Sequence, residues 1–431
     1  MEKFDKIVKN SDNEKKLKIW LIQHGEPPPF IPKSSSFRTA KLAQKLGLRG
    51  HDVTYWCSSF WHHKKTLFCQ KNKNIKINNY TLHILHAGKY KNNHSIGRYL
   101  HHKRMAQLFS QEAKNSERPD IIIAALPIHY CAYEAVKFGR RNQIPVIVDI
   151  RDYWPDVFLR LFPKGFQWIG RLIFNKDFKI TKYTLQNATT LVSMMSHLLE
   201  WGEKHAERNF KEDNKIFFLG GDEYNHGDRN KFAQLFPELK ERINNRFIVS
   251  YIGSFTYLTH PLTIIEAARH LDSLGYGDDI LFLLGGNGDY YKKCINAAKG
   301  LNNIVFLDWL DNDKMAALNS VSSVGIIPSW EEISFPNKAF SYLGAGIPVI
   351  SSTRGDLKNL LEKYQAGFYF DILNPIQLAN QILDLSKLDN KSYNKLSKNA
   401  KFLFKTRLMA DKIYSDYANY VEYIANKYKF K

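Results

Sequence analysis

Two series of short, almost wholly apolar segments run along this chain, each segment followed by a helical pattern. Ile19-Trp-Leu-Ile, Val53-Thr-Tyr-Trp, Ile121-Ile-Ile-Ala and Val146-Ile-Val-Asp form the first series. Phe247-Ile-Val-Ser-Tyr-Ile, Ile280-Leu-Phe-Leu-Leu, Ile304-Val-Phe-Leu, Val324-Gly-Ile-Ile and Val349-Ile-Ser-Ser form the second. Strands that are apolar throughout belong to parallel sheets covered by helices on both faces. Two such series predict an α/β protein of two doubly wound, Rossmann-like domains, with ligands at the carboxyl ends of the strands. A length of 431 residues suits that number. The polar segment Gly220-Gly-Asp-Glu-Tyr-Asn-His-Gly-Asp228 reads as the linker, giving a first domain over 1–214 and a second over 215–398, with 215–245 as the linker region. From Asn399 to about Tyr428 a closing helix is expected, with Phe402, Tyr414, Tyr417, Val421 and Ile424 at helical spacing. Asn72, Asn74, Asn78 and Asn79 mark loop or hairpin material.

The stretch Phe335-Pro-Asn-Lys-Ala-Phe-Ser-Tyr-Leu-Gly-Ala-Gly-Ile-Pro-Val-Ile350 predicts a turn, a short helix opened by Pro336 and Asn337, a stop at Gly344-Ala-Gly346 and a new strand. A helix entered from a strand end points free N–H groups into a crevice and favours negative charge there. Lys338 in its first turn adds a full positive charge, which makes this a candidate seat for a diphosphate.

The pattern P-N-K-x-F-x-Y-L-x-A-G-x-P-V-I resembles the donor-site helix of the glycosyltransferase family 4 group of GT-B enzymes, in particular the branch that builds bacterial surface polysaccharides (O-antigen, lipopolysaccharide, capsule). Other segments agree in order: Lys18-Ile-Trp-Leu-Ile-Gln-His-Gly-Glu26, Arg38-Thr-Ala-Lys-Leu-Ala43, Arg49-Gly-His-Asp-Val-Thr54 and Pro145-Val-Ile-Val-Asp-Ile-Arg-Asp-Tyr-Trp-Pro-Asp156, then Tyr251-Ile-Gly-Ser254, Leu284-Gly-Gly-Asn-Gly-Asp289 and Ile327-Pro-Ser329. The resemblance implies a GT-B fold, two Rossmann-like domains facing a central cleft, with the closing helix returning to the first domain. It implies retaining transfer of a hexosyl or N-acetylhexosaminyl group from a nucleotide diphosphate sugar to a lipid-linked glycan, with no cofactor and no metal. The protein would then sit in the cytoplasm, peripheral to the inner face of the membrane. A GT-B sugar-nucleotide epimerase and a non-catalytic GT-B subunit are the alternatives.

Site residues follow from the same comparison. Lys338, Arg151 and Asp152 are the catalytic candidates. Gly25, Gly253, Ser254, His260, Gly285, Gly286, Gly288, Pro336, Asn337 and Ser341 are the donor-binding ones, and His129 is a candidate on the acceptor side. Arg151-Asp152 reads equally well as a structural ion pair. The chain also departs from the family. The acidic pair that many members carry eight positions apart is replaced by Ile333 and Ser341, leaving Glu331 or Glu332 as substitutes. Ser254 stands where an arginine is common, so Lys338 would carry more of the phosphate clamp.

The net charge is +20, with lysines spread along the chain and no nucleic-acid-binding signature, so phosphorylated substrates and an anionic membrane surface are the expected partners, not nucleic acid. No apolar run reaches the ~20 residues that span a bilayer, and Met1-Glu-Lys-Phe-Asp-Lys-Ile-Val-Lys lacks a signal peptide's apolar core, so export is not expected. Cys57, Cys69, Cys131 and Cys294 are scattered as reduced thiols would be. His62-His63 and His101-His102 lack metal-ligand spacing, and Asp311-Asn-Asp313 is explained by an Asp helix cap. From Val157 to Thr184, Phe158, Leu159, Leu161, Phe162, Phe166, Trp168, Ile169, Leu172, Ile173, Phe174 and Phe178 interleave with Arg160, Lys164, Arg171, Lys176, Lys179 and Lys182. This suits either an anionic lipid interface or a core helix pair with a solvated basic face.

Overall fold

The computed structural model describes residues 16–27, 29–30, 37–92, 95–127, 129–208, 213–223, 228–331 and 333–428. The chain forms two units, one made of residues up to Phe217 together with those from Tyr414 onward, the other of Phe218–Ile413.

Strands of the first unit are β1 (Lys18–Ile22), β2 (Asp52–Ser58), β3 (Phe60–Trp61), β4 (Thr66–Leu67), β5 (Lys73–Ile77), β6 (Tyr80–Leu85), β7 (Ile121–Leu126), β8 (Val146–Ile150), β9 (Thr190–Ser193) and β10 (Lys215–Ile216). Its helices are α1 (Arg38–Leu48), α2 (Ile96–Asn115), α3 (His129–Asn142), α4 (Gln167–Ile173), α5 (Asn175–Asn187) and α6 (Ser196–Ala206). Eight strands form one sheet in the order β10-β9-β8-β7-β1-β2-β6-β5, while β3 and β4 pair separately. The pairings are parallel except at the β5–β6 and β3–β4 hairpins. The β5–β6 hairpin turns at Asn78, whose φ of 44° an asparagine tolerates. Trp20 and Trp56 meet edge-on at 5.0 Å, with Phe109 against both, and anchor the core beneath α2.

The second unit contains β11 (Phe247–Ile252), β12 (Ile280–Gly285), β13 (Ile304–Leu307), β14 (Val324–Ile327), β15 (Val349–Ser351) and β16 (Gly367–Tyr369). Its helices are α7 (Arg229–Leu235), α8 (Leu262–Ser273), α9 (Tyr291–Ala297), α10 (Asn312–Val321), α11 (Lys338–Ala345), α12 (Asp356–Tyr364), α13 (Pro375–Ser386) and α14 (Asn390–Leu403). The six strands run in the order β13-β12-β11-β14-β15-β16, all parallel. Strand order therefore reverses between β11 and β14, and a doubly wound sheet opens a crevice at the carboxyl ends of that pair. In the first sheet the reversal falls between β1 and β7.

One contact sets α11 against this crevice. A side chain at Gly325 on β14 would meet the Tyr342 ring at 2.5 Å, so the glycine lets α11 lie close on the sheet. The buried Tyr342 hydroxyl then donates to Ser250 O at 3.3 Å and accepts from Ile252 N at 2.9 Å, pinning the helix to the end of β11. Tyr342→Phe would remove the acceptor of the Ile252 amide and is expected to cost about 1–3 kcal/mol, read as a lower urea midpoint at unchanged slope.

The closing segment is not one helix. After α14 comes a π-helical turn at Phe404–Leu408, then an extended Met409, then α15 (Ala410–Lys427). Gly221 bridges to Met409, its amide donating to Leu408 O at 2.9 Å and its carbonyl accepting from Ala410 N at 2.7 Å. Apolar spacing cannot see such a break, because a backbone partner from a distant segment causes it. Residues from Tyr414 onward belong to the first unit, where Tyr417 stacks on Phe217 at 4.4 Å.

Candidate functional site

At the β11–β14 reversal lies a cation with no counter-ion among the described residues. Lys338, the first residue of α11, holds its ammonium 4.2 Å from the centroid of the Tyr251 ring. No carboxylate among the described residues comes within ion-pair distance of it. Burial alone pulls its pKa down to about 7. Tyr251 is itself fully buried, its hydroxyl spent on Ser254 O at 2.6 Å. The amides of Ala339 and Phe340 already close turns on Pro336 O at 3.0 Å and Asn337 O at 3.1 Å. Pro336 and Asn337 therefore shape the entry to the helix, and the ammonium, more than a row of free amides, is what an anion would meet.

Gly253 explains why the ammonium can lie there, since a Cβ at this position would run into Lys338 Nζ. Gly253→Ala is therefore expected to push the ammonium aside and weaken diphosphate binding several-fold, with little loss of stability, as calorimetric titration would measure.

The glycine turn after β12 faces the same loop. Gly286 (φ 140°) and Gly288 (φ 152°) have backbone that L side chains rarely adopt, and a Cβ on either would overlap the carbonyls of Gly253 and Phe255. Gly253 N donates to Gly285 O at 2.9 Å and Phe255 N to Asn287 O at 2.9 Å. A side chain at Gly285 would strike Leu310. These glycines thus let two loops of the chain approach each other, a role that needs no ligand.

The other donor-side candidates are more dispersed. Ser254 is exposed on the loop after β11. His260 Nδ1 bonds the Thr263 hydroxyl at 2.7 Å, and its ring lies 5.1 Å from that of Trp330, which also stacks with Tyr257 at 6.1 Å. Burial depresses the His260 pKa, so it adds little positive charge near neutrality. Ser341 accepts from Asn319 Nδ2 of α10 at 2.9 Å. Glu331 is exposed, and Glu332 lies outside the described residues. Asp311 caps α10 through Lys314 N at 2.9 Å, as its spacing predicted.

In the first unit, Arg151 is already committed. Its guanidinium bonds Asp149 at 2.8 Å, Thr39 Oγ1 at 2.9 Å and the Glu26 carboxylate. Asp149 is fully buried and also takes Arg38 Nε at 2.9 Å. Burial opposes ionisation of Asp149, but the charges of Arg38 and Arg151 outweigh it and hold the carboxyl below its ordinary range. Glu26 accepts from Thr39 N at 3.2 Å, so the chain's own carboxylate occupies the amino end of α1. Arg151 therefore pairs with Asp149 and Glu26, not with its neighbour Asp152, and it positions the Gly25 loop. Asp152 accepts from Tyr153 N at 2.8 Å, and Gly25 N donates to Gln23 Oε1 at 2.7 Å. His129 is buried, its Nε2 2.7 Å from Asp177 Oδ1. A charged residue inside the apolar strand Val146-Ile-Val-Asp-Ile was the available signal for this network, because buried charge demands partners. Glu26 and Arg38 gave no comparable sign.

Near the carboxyl end of β1, His24 packs against His102 (5.4 Å) and His101 (6.2 Å). Burial depresses all three, His101 and the nearby His62 to about 4. The fold favours their neutral forms. For His101 the stability this gives is complete above the unfolded value near 6.5 and is lost as pH falls from there to about 4. The melting temperature should therefore drop steeply across that window, and less steeply in His101→Gln. No group of three or more His, Cys, Asp or Glu side chains among the described residues could hold a metal ion.

Residues 246–387, which contain β11 through α13 and with them Lys338 and both glycine loops, match the family described as Glycosyl transferases group 1. Two doubly wound sheets, parallel but for the β5 edge of the first and one carrying this match, decide the architecture. The fold is GT-B. Solved GT-B structures superpose along nearly the whole chain. Sucrose-phosphate synthase from Thermosynechococcus elongatus aligns at TM-score 0.67 and 14% identity, over 96% of this chain and 100% of that one. Anabaena HepE in complex with UDP aligns at 0.63 and 16%, over 94% and 98%. An α,α-trehalose-phosphate synthase (UDP-forming) from Burkholderia vietnamiensis aligns at 0.68 and 9%, over 97% and 100%. No curated protein matches the sequence.

Proposed function

We propose that the chain is a retaining glycosyltransferase that moves a sugar from a nucleotide diphosphate sugar to a lipid-linked glycan in surface polysaccharide synthesis. The observation that carries the donor side is the half-buried Lys338 ammonium, without a carboxylate partner among the described residues, at the strand-order reversal of a glycosyl transferases group 1 domain. GT-B neighbours described with UDP, with UDP-glucose or as UDP-forming support a nucleotide diphosphate sugar as donor.

Breaking the bond between the anomeric carbon and the diphosphate puts negative charge on the leaving phosphate. Lys338 stabilises that charge in a site already partly stripped of water, where the interaction is stronger than in bulk. The departing phosphate oxygen takes the acceptor's proton, so no protein nucleophile is needed. The buried network of Arg38, Asp149, Arg151 and Glu26 has a positioning role in this scheme. No metal takes part, and turnover is expected to persist in EDTA. Loss in EDTA with rescue by Mn²⁺ or Mg²⁺ would return Asp311 and Asp313 to consideration.

The deciding experiment incubates the protein with a panel of nucleotide sugars and membrane-extracted lipid-linked glycans, following both product classes by mass spectrometry. A glycosylated acceptor is expected. An altered sugar nucleotide without transfer would identify an epimerase, and binding without any product a non-catalytic subunit.

A further inference from the structure

We propose that α4 and the turn before it dock the first unit on an anionic lipid surface. Leu161 (64%), Phe166 (55%), Trp168 (59%), Leu172 (66%) and Ile173 (61%) are all largely exposed. Large apolar side chains scattered singly over a surface mean little, but this many in one short segment form a patch that a soluble face does not explain. The segment's inward side is accounted for elsewhere. Gly170 sits where a Cβ would meet Phe162 at 2.8 Å and Leu159 at 2.9 Å, so α4 lies on that pair and turns Trp168 and Leu172, one helical turn apart, outward together.

The exposed charges within residues 157–183 are of one sign. Arg160, Lys164, Arg171, Lys176 and Lys179 are exposed. Between residues 157 and 183 the only carboxylate is Asp177, which is buried and held by His129 and Tyr130. Arg171 pairs loosely with Asp156 at 3.8 Å and stays largely exposed, and Lys182 is drawn off to Glu207 at 2.6 Å, so the patch centres on α4 and not on the end of α5. Outward Trp, Leu and Ile suit shallow burial beneath lipid headgroups, while long cationic side chains reach the phosphates. An acidic protein would need an apolar centre matched to these five side chains inside an acidic rim, whereas an anionic bilayer offers both to any surface of this kind. The surface deepens the acceptor side of the function proposed above and rests on that reading only for its purpose; lipid binding is measured without turnover.

The test is flotation of the full chain with vesicles of phosphatidylcholine, alone or mixed with phosphatidylglycerol, at low and high salt. The parent should float with the mixed vesicles, less with phosphatidylcholine alone, and less at high salt. Trp168→Ser with Leu172→Ser should lower the partition coefficient by about tenfold or more. Arg160→Gln with Lys164→Gln and Arg171→Gln should abolish the preference for phosphatidylglycerol. Both variants alter exposed side chains and should keep the parent melting temperature and UDP affinity. A parent that does not float, or variants that float as well as the parent, would overturn the proposal. So would a parent dimer that the Trp168 variant dissociates without any vesicle binding, which would assign the patch to a second copy. Flotation without nucleotide binding would leave this surface standing and remove the donor reading instead.

Discussion

Asp149→Ala is expected to cost about 3–5 kcal/mol, the largest single effect in the first unit, because it removes the buried carboxylate that the Arg38 and Arg151 guanidinium groups share. Arg38 is 2% exposed and Asp149 fully buried, so little water can replace the lost carboxylate. Asp149→Asn keeps the shape and one acceptor oxygen but not the charge, and should fall between the parent and the alanine variant. Guanidinium unfolding of the three proteins would show the order. A loss below about 1 kcal/mol for Asp149→Ala would mean that Glu26, through Arg151, supports the network alone. The variant should also loosen the loop at Gly25, because Arg151 holds Glu26 and Glu26 holds Thr39 at the start of α1.

Lys338→Ala is expected to weaken binding of the donor diphosphate by about 1.5–3 kcal/mol, roughly tenfold to a hundredfold, while leaving the melting temperature nearly unchanged. The pH dependence gives a sharper signature. In the free protein burial holds the amine's pKa at about 7, and a bound diphosphate raises it again by supplying a counter-charge. Above pH 7 binding therefore takes up a proton, and affinity should fall as pH rises, by up to about tenfold per pH unit. Below pH 7 the ammonium is already present, and this contribution levels off. Lys338→Met keeps the stem, removes the titrating group, and should flatten the profile. Isothermal titration with UDP in buffers of different ionisation enthalpy would count the proton directly. A parent profile as flat as the variant's would remove Lys338 from the site.

The sheets were legible because their strands carry the signal themselves. Ile121-Ile-Ile-Ala and Ile280-Leu-Phe-Leu-Leu are apolar throughout, and only a strand covered on both faces requires that. Strands β6 and β9 passed unread. Tyr80-Thr-Leu-His-Ile-Leu alternates as a half-exposed strand does, and Thr190-Leu-Val-Ser is too short and polar-edged to stand out, although all four of its residues are buried. Lys338 was legible because position and charge coincide at one residue. Its lack of a carboxylate partner among the described residues was not, since no motif reports what surrounds a side chain. Arg151 shows the opposite limit: its sequence neighbour Asp152 is the evident partner, yet Glu26, far away in the chain, makes the pair. Likewise Gly253 and Gly286 read as ligand-facing glycines until their contacts with Lys338 Nζ and with each other's loops are seen.

The Glu26 carboxylate at the amino end of α1 bears on competition. A protein with two open phosphate seats responds to free phosphate and pyrophosphate twice, and its inhibition curves bend accordingly. Here the amino end of α1 is closed from within by a group that cannot dissociate, and its strength does not vary with metabolite concentration. Pyrophosphate should therefore find no seat at the start of α1. Opening the second seat would take a change to the protein, Glu26→Gln, and not a change in the cell.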